Sequence, residues 1–156
     1  MSKKNMTKKV SAKGFTLLEI LLVVGIISIL AGIVILAINP TKQLGDTRNA
    51  QRRSDVLTIL NAIYQYTLDP GQTVADLSLS SAADNTCASS TDTDAYGLTT
   101  ELVGDAATYL TAMPIDPVDG VADTSSAYFV HLNSTTGRIT VCAPSAENDV
   151  DISVTR

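Results

Sequence analysis

An unbroken apolar run near the start of the chain limits most strongly what this sequence can become. Phe15 to Ile38 reads FTLLEILLVVGIISILAGIVILAI, 24 residues with a single charged side chain, Glu19. A helix of about 20 apolar residues crosses the hydrocarbon core of a bilayer. The run is therefore long enough to span a membrane, and long for the core of a secretory signal peptide. No small-x-small cleavage site follows it, because it ends in Ile38-Asn39-Pro40. Lys3, Lys4, Lys8, Lys9 and Lys13 precede it. Basic residues on one flank stay on the cytoplasmic side, which puts the rest of the chain outside.

Beyond the run the sequence is polar, acidic and rich in Ala, Ser, Thr and Asp. The 156 residues suffice for one domain plus this long segment. The formal charge of the whole chain is −5. Without the first fourteen residues, six basic side chains face sixteen acidic ones, a charge of −10. Such a surface repels phosphate, so no direct nucleic-acid partner is expected. No nucleophile neighbours a base, no His/Cys cluster has metal spacing, and no glycine loop cradles phosphate. Neither catalysis nor a cofactor is expected. Cys87 and Cys142 form an even pair, which in an exported protein favours a disulfide over two buried free thiols.

Glu19 does not fit a plain membrane anchor. A carboxylate near a bilayer centre costs about 2.5–3.5 kcal/mol on insertion scales. It is either an interfacial charge, five residues into the run, or a group with a partner. Cleavage after Gly14 would supply one, since Phe15 would then carry a free amine. A neighbouring subunit could set that amine against Glu19, compensating both charges and fixing the axial register.

Lys13-Gly14-Phe15-Thr16-Leu17-Leu18-Glu19, followed by some twenty apolar residues, resembles the cleavage signature of type IV prepilins and type II secretion pseudopilins. The match covers about residues 9–40. The resemblance implies that a membrane-embedded aspartyl peptidase cuts between Gly14 and Phe15 and methylates the new amine of Phe15. It also implies that Glu19 acts in filament assembly. Residues 1–14 are then a removed leader, 15–38 a transmembrane and filament-core helix, 39–69 its amphipathic continuation, and 70–156 a globular domain. The implied partners are further copies of the chain, the prepilin peptidase/methyltransferase, the inner-membrane assembly machinery, and the membrane before assembly.

Gly25, Ser28 and Gly32 lie on one side of the helix at spacings of three and four. They are either a close-packing face or glycines tolerated in a membrane helix. In the resembled family a proline often sits in the second half of the run, whereas here the proline is Pro40, past its end. Pro40 predicts a kink or a fresh helix start, with Asn39 as a possible cap. If the helix is continuous from Phe15 to Leu68, it is roughly 80 Å long. Val56, Ile59, Leu60, Ile63 and Tyr66 or Thr67 form one apolar stripe, and Asp69-Pro70-Gly71 ends the helix. Asp46, Arg48, Arg52, Arg53 and Asp55 read as a solvated face, or as ion pairs between subunits.

The expected fold class is α+β: the long helix packed on a small antiparallel sheet. Residues 72–97 read as a surface loop. Leu98–Met113 suggests a short helix or turns. Ala127–Leu132 and Arg138–Ala143 read as strands joined by a turn with Gly137, and Asp149–Thr155 as a further strand. His131 reads as a surface residue. Asp92-Thr93-Asp94 with Gly97 fails as an EF-hand, because its fifth and twelfth positions are Tyr96 and Val103. Met113-Pro114-Ile115-Asp116-Pro117, with Asp119, Gly120 and Asp123, resembles the loop before the last hairpin of major pseudopilins. In those proteins such a loop can hold calcium. Here Val118 stands where they carry an aromatic residue, and no metal is assigned to the loop.

Three readings follow. The first is a type IV pilin, in a surface fibre for adhesion, motility or DNA uptake. The second is a pseudopilin of a secretion system. The third is a membrane-anchored binding domain that does not polymerise.

Overall fold

Pro40 divides the helical run in two. The computed structural model describes residues 14–82, 92–104 and 108–156. Helix α1 spans Leu17–Ala37 and helix α2 spans Pro40–Leu68. Ile38, between them, has extended backbone with φ −95° and ψ 123°. A proline lacks the N–H that a helix interior needs, but at the first helical position that donor has no intrahelical partner anyway. Of the two alternatives at Pro40, a kink or a fresh start, the structure has the fresh start. The chain divides at Pro40 into two compact units.

In the first unit, α1 buries none of its residues. It is apolar on all sides, so no face is distinguished as a core face. It is long and apolar enough to cross a membrane.

In the second unit, α2 buries Val56, Ile59, Leu60, Ala62, Ile63 and Tyr66 on one stripe. These join Leu98, Leu102, Leu110, Met113, Tyr128, Val130, Ile139, Val141 and Ile152 in one apolar core. Strands β1 (Ser80–Ala82), β2 (Thr93–Asp94), β3 (Phe129–Asn133), β4 (Ile139–Cys142) and β5 (Ser153–Thr155) form the sheet. A short helix, α3, covers Thr99–Leu102 after a 3₁₀ turn at Ala95–Leu98. The fold is α+β, as expected.

The sheet order is β1-β3-β4-β5, with β2 also paired to β3. Strands β2–β3, β3–β4 and β4–β5 are antiparallel, but β1 runs parallel to β3. The sheet is therefore mixed rather than wholly antiparallel. Part of the segment expected to be a loop supplies β1 and β2, whose short polar sequences carry no alternation to read. The β3–β4 turn takes the expected form: Gly137 has φ +69° and donates to the Asn133 carbonyl at 2.8 Å. The Asn133 side chain accepts from Thr135 and Thr136 N–H, both at 2.9 Å. Strand β5 is shorter than expected, since Asn148 and Asp149 adopt left-handed backbone at φ 61° and 55°.

Residues opposite each other in a ladder share a face. Val130 opposes Val141, and Val141 opposes Val154. This is the core face. On the other face His131 opposes Thr140, and Phe129 opposes Cys142. His131, Thr140 and Cys142 are nevertheless buried. His131 is not the surface residue expected: its Nδ1 lies 3.3 Å from the buried Asp92 carboxylate. Asp92 lies just before β2, far from His131 in sequence, so the strand pattern alone could not bring them together.

Candidate assembly segment and the buried Arg52 node

Thr16 is the N-cap of α1, with extended backbone at φ −79° and ψ 149°. Its hydroxyl accepts from Glu19 N–H at 3.2 Å, and the Glu19 carboxylate accepts from Thr16 N–H at 3.0 Å. The Thr16 hydroxyl also lies 3.1 Å from the same carboxylate oxygen. This reciprocal pair is a capping box, and it satisfies helix-end donors that would otherwise lack partners. The cap starts the helix at Leu17, so Gly14 and Phe15 lie outside it and are exposed.

Farther along α1, the Ser28 hydroxyl donates to the Val24 carbonyl at 2.8 Å. That bond satisfies a polar group within its own helix, as an apolar medium requires. A Cβ built on Gly25 or Gly32 meets nothing within 4 Å. These small residues are not needed for packing within one chain.

The second unit contains a polar site that the sequence reading placed on the surface. Arg52 is fully buried. Its Nε donates to Asp116 Oδ2 at 2.6 Å and its Nη2 to Asp116 Oδ1 at 3.1 Å. Its Nη1 donates to Asn49 Oδ1 and to Glu147 Oε2, both at 3.0 Å. Arg48 adds a two-pronged pair to Glu147 at 2.6 and 2.5 Å. Asn49 holds the backbone of Glu147 in both directions, donating at 2.7 Å and accepting at 2.9 Å. One turn on, Asp55 accepts from the buried Tyr128 hydroxyl at 2.8 Å. Of the three arginines Arg53 is exposed, as a solvated face would have it, Arg48 is partly exposed and Arg52 is not exposed at all.

The electrostatics follow from these contacts. Hydrogen bonds from Arg48 and then Arg52 lower the Glu147 carboxyl to about 2. Burial pushes the Asp116 carboxyl up, but the Arg52 bonds and the N–H groups of Val118 and Asp119 outweigh it and leave it lowered. Burial, then the Asp55 bond, raises the Tyr128 hydroxyl. Burial also raises Asp55.

These contacts decide how the loop at Asp116 relates to calcium. Asp116 Oδ2 is taken by Arg52, and Oδ1 by Arg52 and the N–H groups of Val118 and Asp119 at 2.8 and 3.1 Å. Asp119 and Asp123 point to solvent. The carboxylate at the centre of the loop is engaged by donors and does not fit a metal ligand. Among the described residues no group of three His, Cys, Asp or Glu side chains is placed to hold a metal.

Glu147, Asn49 and Tyr128 were not singled out from the sequence, and Asp116 and Asp55 were named only within the pseudopilin-like loop and the charged helix face. A signal for two node positions was present. Gly45, Asn49 and Arg52 continue the stripe of Val56, Ile59, Ile63 and Tyr66 at spacings of three and four, and all seven are buried. The expected disulfide involves Cys87, which lies outside the described residues; Cys142 is buried in β4.

No curated protein and no solved structure matches the chain. Residues 10–35 match a family model described as the prokaryotic N-terminal methylation motif. That motif implies processing by a prepilin peptidase and, with the apolar helix behind it, fits a membrane-anchored precursor. The chain thus carries, at residues 10–35, the motif that begins type IV prepilins and pseudopilins, a class of structural subunits.

Proposed function

We propose that this chain is a structural subunit of an extracellular type IV pilus-like filament, cut between Gly14 and Phe15, methylated on Phe15, and assembled from the membrane through α1. The observation that carries the reading is the pairing of the methylation motif with a helix apolar on all sides. A side-chain surface of this kind must be covered by lipid or by other helices. At about 25 cal/mol per Å2 of apolar area, two dozen such residues outweigh any single ion pair. Copies of the same helix provide a cover once the chain leaves the membrane. Gly25, Ser28 and Gly32 offer a row where helices approach closely. The acidic second unit faces outward, and the Lys-rich leader stays on the cytoplasmic side. Cys87 and Cys142 are joined by a disulfide closing a loop of about 55 residues, worth roughly 4 kcal/mol in the chain-entropy model.

A second reading is a pseudopilin of a type II secretion system. It is favoured by the Met113–Pro117 segment that precedes β3, which resembles the loop of major pseudopilins.

Mass spectrometry of N-terminal peptides separates the readings. The expected result is a peptide beginning at methylated Phe15 in material sheared from cells. The same peptide confined to the membrane fraction favours the pseudopilin. An intact leader in cells that have the peptidase overturns both.

A further inference from the structure

The loop around Asp116 has the oxygen-rich composition of a calcium site, yet its central carboxylate is taken. What takes it is a cation supplied by the chain. Four oxygens surround the Arg52 guanidinium: both of Asp116, one of Glu147 and the side-chain oxygen of Asn49. Two carboxylates and an amide oxygen make a donor set that also suits a hard divalent ion. The oxygens come from three separate parts of the chain. Asn49 is on α2, Asp116 on the segment before β3, and Glu147 on the connection from β4 to β5. A calcium ion draws loops together in the same way, by gathering oxygens that would otherwise repel each other.

We propose that the Arg52 guanidinium is the resident cation of this domain, gathering Asp116, Glu147 and Asn49, so that the segment before β3 is ordered without a divalent metal. Arg52 is inaccessible to solvent and so is the Asp116 side chain. No charged competitor reaches that contact without displacing the arginine. The planar fork is matched two-to-two with Asp116, a geometry a spherical ion does not need and lysine cannot reproduce. The proposal does not depend on the filament reading.

The test is thermal unfolding of the full chain in detergent micelles, in EDTA and in millimolar calcium. The expected result for the unaltered chain is one midpoint in both. Arg52→Ala removes the cation and leaves the oxygen cage, so its midpoint falls by on the order of 10 °C or more. Guanidinium at concentrations too low to denature should then raise the midpoint of Arg52→Ala while leaving or lowering that of the unaltered chain. A midpoint of the unaltered chain that rises in calcium or falls in EDTA overturns the proposal. So does an Arg52→Ala chain as stable as its parent. Should Arg52→Ala not fold, Asp119→Asn with Asp123→Asn keeps the question open to refutation. Those exposed side chains should be silent in both solutions, and a variant less stable than its parent in calcium but equal to it in EDTA would overturn the proposal.

Discussion

Glu147 illustrates how far a few contacts can move one side chain from its free behaviour. It is partly exposed, yet the hydrogen bonds from Arg48 and then Arg52 bring its carboxyl from 4.5 to about 2. A folded-state value below the unfolded one means that the native state resists protonation. Glu147 therefore stabilises the fold fully above about pH 4.5, and that contribution is lost as pH falls towards 2. Asp116, also lowered, acts in the same direction. Asp55, raised mainly by burial, acts in the opposite one. Glu147→Gln should thus be less stable at neutral pH and less sensitive to acid, with its unfolding curve converging on that of the unaltered chain near pH 2. Unfolding midpoints across that range check it, and parallel curves would show that Glu147 carries no such linkage.

Among elements, α2 was the most legible in the sequence, and the reason is periodicity. Its apolar stripe from Val56 to Tyr66 could be read directly, as could the stop at Asp69-Pro70, whereas Pro40 left both a kink and a fresh start open. The stripe does not end where its apolar residues end. It continues through Arg52, Asn49 and Gly45, where polar side chains face inward because partners from remote loops meet them. Hydrophobic pattern shows which way a residue points only when the residue is apolar. For Arg52 the deciding facts are Asp116 and Glu147, which lie 64 and 95 positions away. Strands β3 and β4 were legible from alternation and from Gly137, whereas β1 and β2 are too short and polar to announce themselves. The segment before β3 carries Pro114 and Pro117, and Gly120 is its most tightly packed position. A Cβ there would lie 2.2 Å from Ile115 Cγ2 and 2.7 and 2.8 Å from the backbone O and N of Asp116. Backbone cannot yield as a side chain can, and the clash falls on the residue that binds Arg52. Gly120→Ala should cost about 1–3 kcal/mol or more, as overpacking does. Urea unfolding of the full chain measures it, and a neutral result would mean that the turn relaxes freely.

At the scale of the whole molecule, one side chain sits under two demands. Glu19 caps its own helix through Thr16 and, in the proposed filament, meets the amine of another subunit's Phe15. In that proposed filament the apolar run would supply the bulk of the driving force but no register, because helices apolar on all sides slide past each other at little cost. A charge that must find one opposite charge in an apolar medium sets that register. The two demands can be separated chemically. The capping box accepts glutamine as well as glutamate at this position, since its amide oxygen still accepts from the Thr16 N–H. Glu19→Gln therefore keeps the box and removes the charge, while Glu19→Ala removes the charge and the half of the box that the side chain supplies, leaving the bond from its own N–H to the Thr16 hydroxyl. If charge pairing governs assembly, neither variant forms filaments, and both still insert into the membrane with their leaders cut at Gly14–Phe15. If the cap alone matters, Glu19→Gln assembles like the unaltered chain and only Glu19→Ala fails. Electron microscopy of sheared material, with immunoblots of the membrane fraction, distinguishes the outcomes. Normal filaments from Glu19→Ala would remove Glu19 from assembly altogether and leave the register to the small residues of α1.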